Sequence, residues 1–192
     1  MTKANHYDAI ILGAGAAGLM CAATAGQRGK QVLLLDHADQ VGKKILISGG
    51  GRCNFTNIHA RPENYISANP HFVKSALARY TPADFIALVD SYGIAWHEKT
   101  LGQLFCDGSA KQIVAMLLEE CAKGQVDIRL GHEVRDVQLE GEIYRLKFGA
   151  DAFTADALVI ATGGPSIPKM GATGFAYDLA RQFGLKIVEP RP

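Results

Sequence analysis

The sequence predicts an α/β fold, a three-layer arrangement with a central parallel sheet and an antiparallel β-meander on one side. Three observations predict it. Strand, Gly-rich turn, helix and strand follow one another up to Asp36, the order of a βαβ unit with its right-handed crossover. Three short strand patterns separated by Gly141 and Gly149 come later, as a meander would. A further buried strand then runs into Thr162-Gly163-Gly164-Pro165. The 192 residues are 48% apolar and 20% charged, enough for one domain with a full core and too apolar for disorder.

The elements follow in order. Residues 8–12 are a short apolar run ending at Gly13, the pattern of a buried parallel strand. Residues 16–28 read as a small-residue helix stopped near Gly29, and residues 31–35 as a second buried strand closed by Asp36. Residues 41–58 read as an irregular Gly-rich loop. Asn69-Pro70 opens a helix to about residue 79 with Phe72, Val73, Ala76 and Leu77 on one face. Thr81-Pro82 with Asp84 opens the next, stopped by Gly93, and Ser109 with Gln112 makes a capping box for a third, ended by Gly124. Residues 94–97 and 103–106 are predicted to pair as a hairpin. Residues 126–130 read as another sheet strand, residues 133–140, 142–148 and 152–155 as the meander, and residues 158–161 as the next buried strand. A last helix spans about 174–183, and the chain closes on Glu-Pro-Arg-Pro.

Twenty Lys and Arg stand against nineteen Asp and Glu. The near-zero balance gives no electrostatic case for nucleic acid or for an anionic membrane, so neither is expected as a partner. Residues 9–27 carry no Asp, Glu, Lys or Arg but hold Gly13, Gly15, Gly18 and Gly26, a poor spanning helix. Lys3 is offset by Asp8 before the apolar run, which argues against a signal peptide. Cys21, Cys53, Cys106 and Cys121 form no CxxC and no zinc-ligand spacing with His, so no metal is expected; they read as reduced thiols of a cytoplasmic protein.

Three constellations carry chemistry. Gly13-Ala14-Gly15-Ala16-Ala17-Gly18 follows a strand and opens a helix. Gly13 allows the tight turn, Gly15 leaves room for a pyrophosphate to approach the backbone, and Gly18 permits close helix packing. Phosphates would sit at the positive helix N-terminus. Asp36, eighteen residues after Gly18, is placed to accept both ribose hydroxyls of an adenosine. Together they predict a Rossmann-like FAD- or NAD(P)-binding domain. Ser48-Gly49-Gly50-Gly51-Arg52-Cys53-Asn54, beside Lys43 and Lys44, suits a loop pressed against an anionic or planar ligand. Val159-Ile160-Ala161-Thr162-Gly163-Gly164 lets the backbone close over a cofactor. Cys53 has no second Cys in its loop, which argues against a redox dithiol, and Trp96 and His97 read first as structural residues of the hairpin, with reaching the active site as the alternative.

These motifs resemble the N-terminal part of the aminoacetone-oxidase-like (BaiN-type) bacterial FAD-dependent oxidoreductases, which have a glutathione-reductase-like FAD domain. The resemblance rests on AIILGAGAAGL at 9–19, GKKILISGGGRCNFTN at 42–57, WHEKTLGQLF at 96–105 and LVIATGG at 158–164. It implies one FAD-binding domain over residues 1–192. Gly13, Gly15, Ala16, Ala17 and Gly18 would hold the pyrophosphate, with Asp36 and its neighbour His37 at the adenosine ribose. Lys44, Gly50, Gly51, Arg52, Cys53 and Asn54 would line the flavin and its ribityl chain. Val134 would offer backbone hydrogen bonds to adenine, and Ala161, Thr162 and Gly163 would pack on the dinucleotide. Such proteins add an inserted substrate-side domain after this point and return to finish the FAD domain. The 192 residues alone are therefore expected to hold FAD weakly, to self-associate and not to turn over. The implied function is the FAD-binding portion of an oxidoreductase, with NAD(P)H as electron donor and a small-molecule substrate that the sequence does not identify. Two alternatives stay open: an NAD(P)-binding dehydrogenase domain, and a non-catalytic FAD-dependent binding or RNA-modifying scaffold.

Overall fold

The structure, a computed structural model, describes residues 5–148, 151–164 and 174–188. The predicted turn at Gly149, Pro165 and the terminal Glu-Pro-Arg-Pro lie outside the described residues. In chain order the elements are β1 (Asn5–Leu12), α1 (Ala16–Gln27), β2 (Val32–Leu35), α2 (Lys43–Ile47), β3 (Asn54–Asn57), α3 (Lys74–Arg79), α4 (Pro82–Ser91), β4 (Trp96–Glu98), β5 (Gln103–Cys106), α5 (Ala110–Lys123), β6 (Asp127–Arg129), β7 (Asp136–Glu140), β8 (Ile143–Phe148), β9 (Asp151–Ile160) and α6 (Phe175–Gln182). Two compact units form, residues 1–43 with 117–192 and residues 44–116.

The first unit is built on a six-stranded sheet in the order β6-β2-β1-β9-β8-β7. β6, β2, β1 and β9 run parallel, and β9, β8 and β7 antiparallel. The meander thus continues one side of the central sheet, as expected. The reason lies in β9. The sequence reads residues 152–155 and 158–161 as two strands, but they are one ten-residue strand. Its first half pairs antiparallel with β8 (Leu146 opposite Phe153), and its length pairs parallel with β1 (Leu12 opposite Ile160). The strand alternation sorts the core. Ile10, Leu12, Leu33 and Leu35 join Val137, Leu146, Phe153 and Leu179 of α6 in one buried cluster. Ile11, Val32 and Leu34, one residue out of phase and equally buried, serve the opposite face. On the helical side, a Cβ on Gly26 would stand 2.5 Å from the carbonyl oxygen of Gly124, so the ends of α1 and α5 approach through two glycines. The uncharged stretch 9–27 is divided between β1, a turn and α1, and no helix among the described residues is long and apolar enough to cross a membrane.

The second unit carries a three-stranded antiparallel sheet, β3-β5-β4. The predicted hairpin forms with Trp96 opposite Cys106 and His97 opposite Phe105. Residues 41–58 are not irregular throughout: they hold α2, a 3-10 turn over Ser48–Gly51 and the edge strand β3. α4 starts where Thr81 and Asp84 cap each other, Thr81 N donating to Asp84 Oδ2 at 2.7 Å and Asp84 N to Thr81 Oγ1 at 3.3 Å. α5 starts more loosely: Ser109 N donates to Gln112 Oε1, but Ser109 Oγ accepts from Lys111. The helix predicted from residue 69 begins only at Lys74 and buries no residue, and Phe72 of its supposed core face is exposed. Periodicity alone does not supply a partner surface.

Candidate functional site

β1 delivers the chain into a turn whose glycines answer to separate neighbours. Gly13 sits at φ +105°, where a Cβ would lie 2.5 Å from the carbonyl oxygen of Ala161. Its amide donates to Leu35 O at 2.7 Å, and Ala161 N donates to Leu12 O at 2.7 Å, so the ends of β1, β2 and β9 are tied together. Gly18 is more constrained. A Cβ there would fall on the carbonyl oxygen of Gly13, so the close packing it permits is between the first turn of α1 and the loop itself. Gly15 is the opposite case. It is the N-cap of α1 with an ordinary extended backbone (φ −82°, ψ −171°), no side chain caps the helix, and a Cβ would meet nothing within 4 Å. Ala16 and Ala17 beside it are exposed. The first N–H groups of α1 thus open onto space the protein does not fill, a place suited to an anion.

Asp36 stands at this turn. Its carboxylate accepts from Ala14 N at 2.6 Å and from Ala38 N at 2.8 Å, and His37 Nδ1 lies 3.4 Å away. Two of about four lone-pair positions are thereby used, leaving capacity for a pair of hydroxyls. Gly42 N closes the other side of the turn on Ala14 O at 2.8 Å. His132 N donates to the Asp36 carbonyl, and the His132 ring lies 4.3 Å from that of Phe148. Val134, two residues on, packs against the sheet core. Thr162 Oγ1 is buried with no hydrogen-bond partner among the described residues, while Gly163 (φ +78°) is exposed. An uncapped helix start, an open Gly15, a fixed acid and an orphaned hydroxyl fit the dinucleotide that the motifs imply. Here Gly13, Gly15, Ala16, Ala17, Gly18, Asp36, His37, Ala161, Thr162 and Gly163 share one unit, together with Val134.

Lys44 and Gly50 to Asn54 belong to the other unit. Lys44 is exposed on α2. Gly49, Gly50 and Gly51 have φ of 59°, 68° and 88° in succession, a left-handed turn that only glycine adopts without strain. At Gly49 a Cβ would meet the Phe105 ring at 2.6 Å, whereas Gly50 faces open space. Arg52 is exposed and Asn54 starts β3. Cys53, at φ +53°, is buried. Its loop holds no second Cys, but the fold brings Cys106 of β5 near it: Cys106 N donates to Arg52 O at 2.9 Å. Burial first, then the neighbouring Cys53 and Asp107, push the Cys106 thiol up to about 11. Burial also raises Cys53. Both are poor thiolates at neutral pH.

Lys99 and Phe105 escaped the sequence reading. They line a cavity with Gly49, Gly50, Arg52 and His97. The hairpin reading fell short by its register: pairing 94–97 end to end with 103–106 sets His97 opposite Gln103, whereas β4 starts at Trp96 and sets His97 opposite Phe105. Trp96 is structural, its Nε1 donating to Asp90 Oδ1 at 2.7 Å and its ring packing edge-on to Phe55.

The HI0933-like protein Rossmann domain family matches residues 7–190. A ribosomal RNA dihydrouridine synthase of Escherichia coli is 57% identical over 97% of this chain and 47% of its own length. Its namesake in Haemophilus influenzae is 50% identical over 97% of this chain and 48% of its own. A 3-dehydro-bile acid delta(4,6)-reductase of Clostridium scindens is 29% identical over 91% and 43%. The chain thus spans about half the length of the curated relatives it matches. The motif resemblance to BaiN-type oxidoreductases thus holds only at the level of this wider Rossmann family, and the two more similar relatives named here are ribosomal RNA dihydrouridine synthases. Among solved structures, a 3-ketosteroid-delta4-(5alpha)-dehydrogenase from Rhodococcus jostii superposes with a TM-score of 0.62 at 16% identity, over 86% of this chain and 47% of that one. The halogenase PltM, in complex with phloroglucinol and FAD, does so at 0.52 and 22%, over 95% and 37%. Both share the fold.

Proposed function

The chain belongs to the HI0933-like Rossmann-domain family, and from that premise we propose that it is the FAD-holding part of a flavin-dependent reductase acting on a uridine of ribosomal RNA. The observation that carries the FAD reading is the open N-terminus of α1: no side chain caps it, and Gly15 has no neighbour on its Cβ side. The substrate reading draws on the named relatives at 57% and 50% identity.

In this reading the amides at Gly15, Ala16, Ala17 and Gly18 bind the pyrophosphate, and Gly13 and Gly18 set the turn that aims them. Asp36, held by Ala14 and Ala38, accepts the ribose hydroxyls, with His37 beside it. The Val134 backbone bonds adenine, and Thr162 Oγ1 finds its missing partner on the dinucleotide between Ala161 and Gly163. Lys44 and the Gly50-Gly51-Arg52-Cys53-Asn54 segment line the flavin and ribityl chain. FAD supplies two-electron hydride chemistry, with NAD(P)H as its electron source. The Clostridium scindens relative is named as a reductase of a small molecule, a 3-dehydro-bile acid. The small-molecule reading survives as the alternative for that reason. An RNA substrate departs from the expectation drawn from net charge, but one nucleotide needs only local cations, not a basic surface.

Titration of FAD into the chain tests the cofactor half. Replacing Asp36 by Ala removes a charge-assisted hydrogen bond, so FAD affinity falls about 10- to 100-fold. Unchanged affinity would remove Asp36 from the ribose site. For the substrate half, loss of dihydrouridine from ribosomal RNA of cells lacking the gene supports the RNA reading, and unaltered RNA leaves the small-molecule alternative.

A further inference from the structure

Within residues 44–116 lies a cavity of about 310 Å³ lined by Gly49, Gly50, Arg52, His97, Lys99 and Phe105. We propose that this cavity seats a single pyrimidine nucleotide, its ring against His97 and its phosphate against Arg52 and Lys99. The inference rests on the RNA reading above and deepens it by naming where the target nucleotide docks.

Four features carry it. The volume is at the small end of ligand cavities, enough for one nucleotide and not for a whole dinucleotide. Its aromatic wall is preassembled: His97, whose side chain is 42% exposed, lies beside its buried cross-strand partner Phe105, centroids 6.2 Å apart and planes at 19°. Single-stranded bases are held by stacking on such rings. The lining holds two cations and no carboxylate. Lys99 Nζ lies 5.4 Å from the Phe105 centroid, and Arg52 has no side-chain partner among the described residues. Finally, the Gly50 backbone faces open space at φ +68°, so a ligand can approach it closely. Gly50 and Arg52 also belong to the proposed flavin-lining segment, so the test is run with and without FAD.

His97 is held in place by Asp107, its Nδ1 2.6 Å from Asp107 Oδ1.

The test is titration of uridine 5′-monophosphate, cytidine 5′-monophosphate and inorganic phosphate into the chain, followed by NMR, with and without saturating FAD. Both nucleotides should bind well above phosphate. Lys99→Ala should weaken them roughly tenfold, as loss of one charge-assisted contact does, and His97→Ala should weaken them by removing the ring they lie on. Both variants should keep FAD affinity, which shows that they fold. Phosphate binding as well as the nucleotide, displacement of the nucleotide by FAD, or variants that bind it unchanged would each overturn the inference. If FAD fails to bind the unaltered chain while the nucleotide behaves as described, the cofactor reading falls and this site stands.

Discussion

The chain has two glycine clusters that look alike in sequence and differ in what demands them. In the Gly13–Gly18 turn two glycines answer to the protein's own backbone. Gly13 is pressed against Ala161 and Gly18 against Gly13 O, and only Gly15 opens onto empty space. In the Gly49–Gly51 turn the demand is conformational, with three successive positive φ values and one side-chain neighbour, Phe105. The first cluster is a rigid frame around one open glycine, the second a left-handed bend that exposes backbone. A glycine count or a motif cannot separate these roles, because both clusters satisfy it.

The contrast breaks first at Gly18. Gly18→Ala puts a Cβ on a carbonyl oxygen that is itself fixed by the turn, and should destabilise by at least about 3 kcal/mol, the upper range for overpacking. Urea denaturation reads this, and a loss below about 1 kcal/mol would mean that the turn yields. Gly49→Ala should be next, at about 2 kcal/mol, since it adds a left-handed conformation to a clash with the Phe105 ring. Gly50→Ala, with the same backbone but open space, should cost only about 1 kcal/mol. Equal losses at the two positions would show that Phe105 moves aside freely.

Each region also buries one thiol with a strongly raised pKa, Cys121 against the Leu19 carbonyl and Cys106 beside Cys53. Burial pushes both to about 11 from 9.0. The folded chain keeps these protons where the unfolded chain has lost them. Stability should be untouched below pH 9 and fall between about pH 9 and 11, by at most about 1.4 kcal/mol per pH unit and thiol. Cys106→Ala and Cys121→Ala should each flatten that fall when denaturation is followed against pH. A slope unaffected by either would show that the thiols ionise in place.

The βαβ start was legible because it is local: an apolar run, three glycines and an acid fix strand, turn, helix and strand without reference to the rest of the chain. The Thr81–Asp84 cap was legible for the same reason. What was missed depends on partners distant in sequence. β9 reads as two strands because Asp156 and the alanines around it interrupt the apolar pattern, yet β1 and β8 flank it on both sides and hold it as one. Phe72, Val73, Ala76 and Leu77 have helical spacing, but spacing cannot say whether a surface exists to cover them. Cys53 looks alone in its loop until β5 brings up Cys106. Of the site, Gly13, Gly15, Gly18 and Asp36 were legible as a set, whereas the Ala14 and Ala38 amides that fix Asp36 are backbone groups without a sequence signature.

Gly15, whose Cβ side opens onto free space, is in this reading the seat of the FAD pyrophosphate. The most direct test compares Gly15→Ala and Gly15→Val by FAD titration, with NAD⁺ as competitor and urea denaturation as the control for folding. With an ordinary backbone and open space at Gly15, both variants should stay folded within about 0.5 kcal/mol of the parent. The parent should bind FAD and not yield it to NAD⁺, Gly15→Ala should bind it more weakly, and Gly15→Val should not bind it. A folded Gly15→Val that takes up FAD as the parent does, or NAD⁺ displacing FAD mole for mole, would contradict the account.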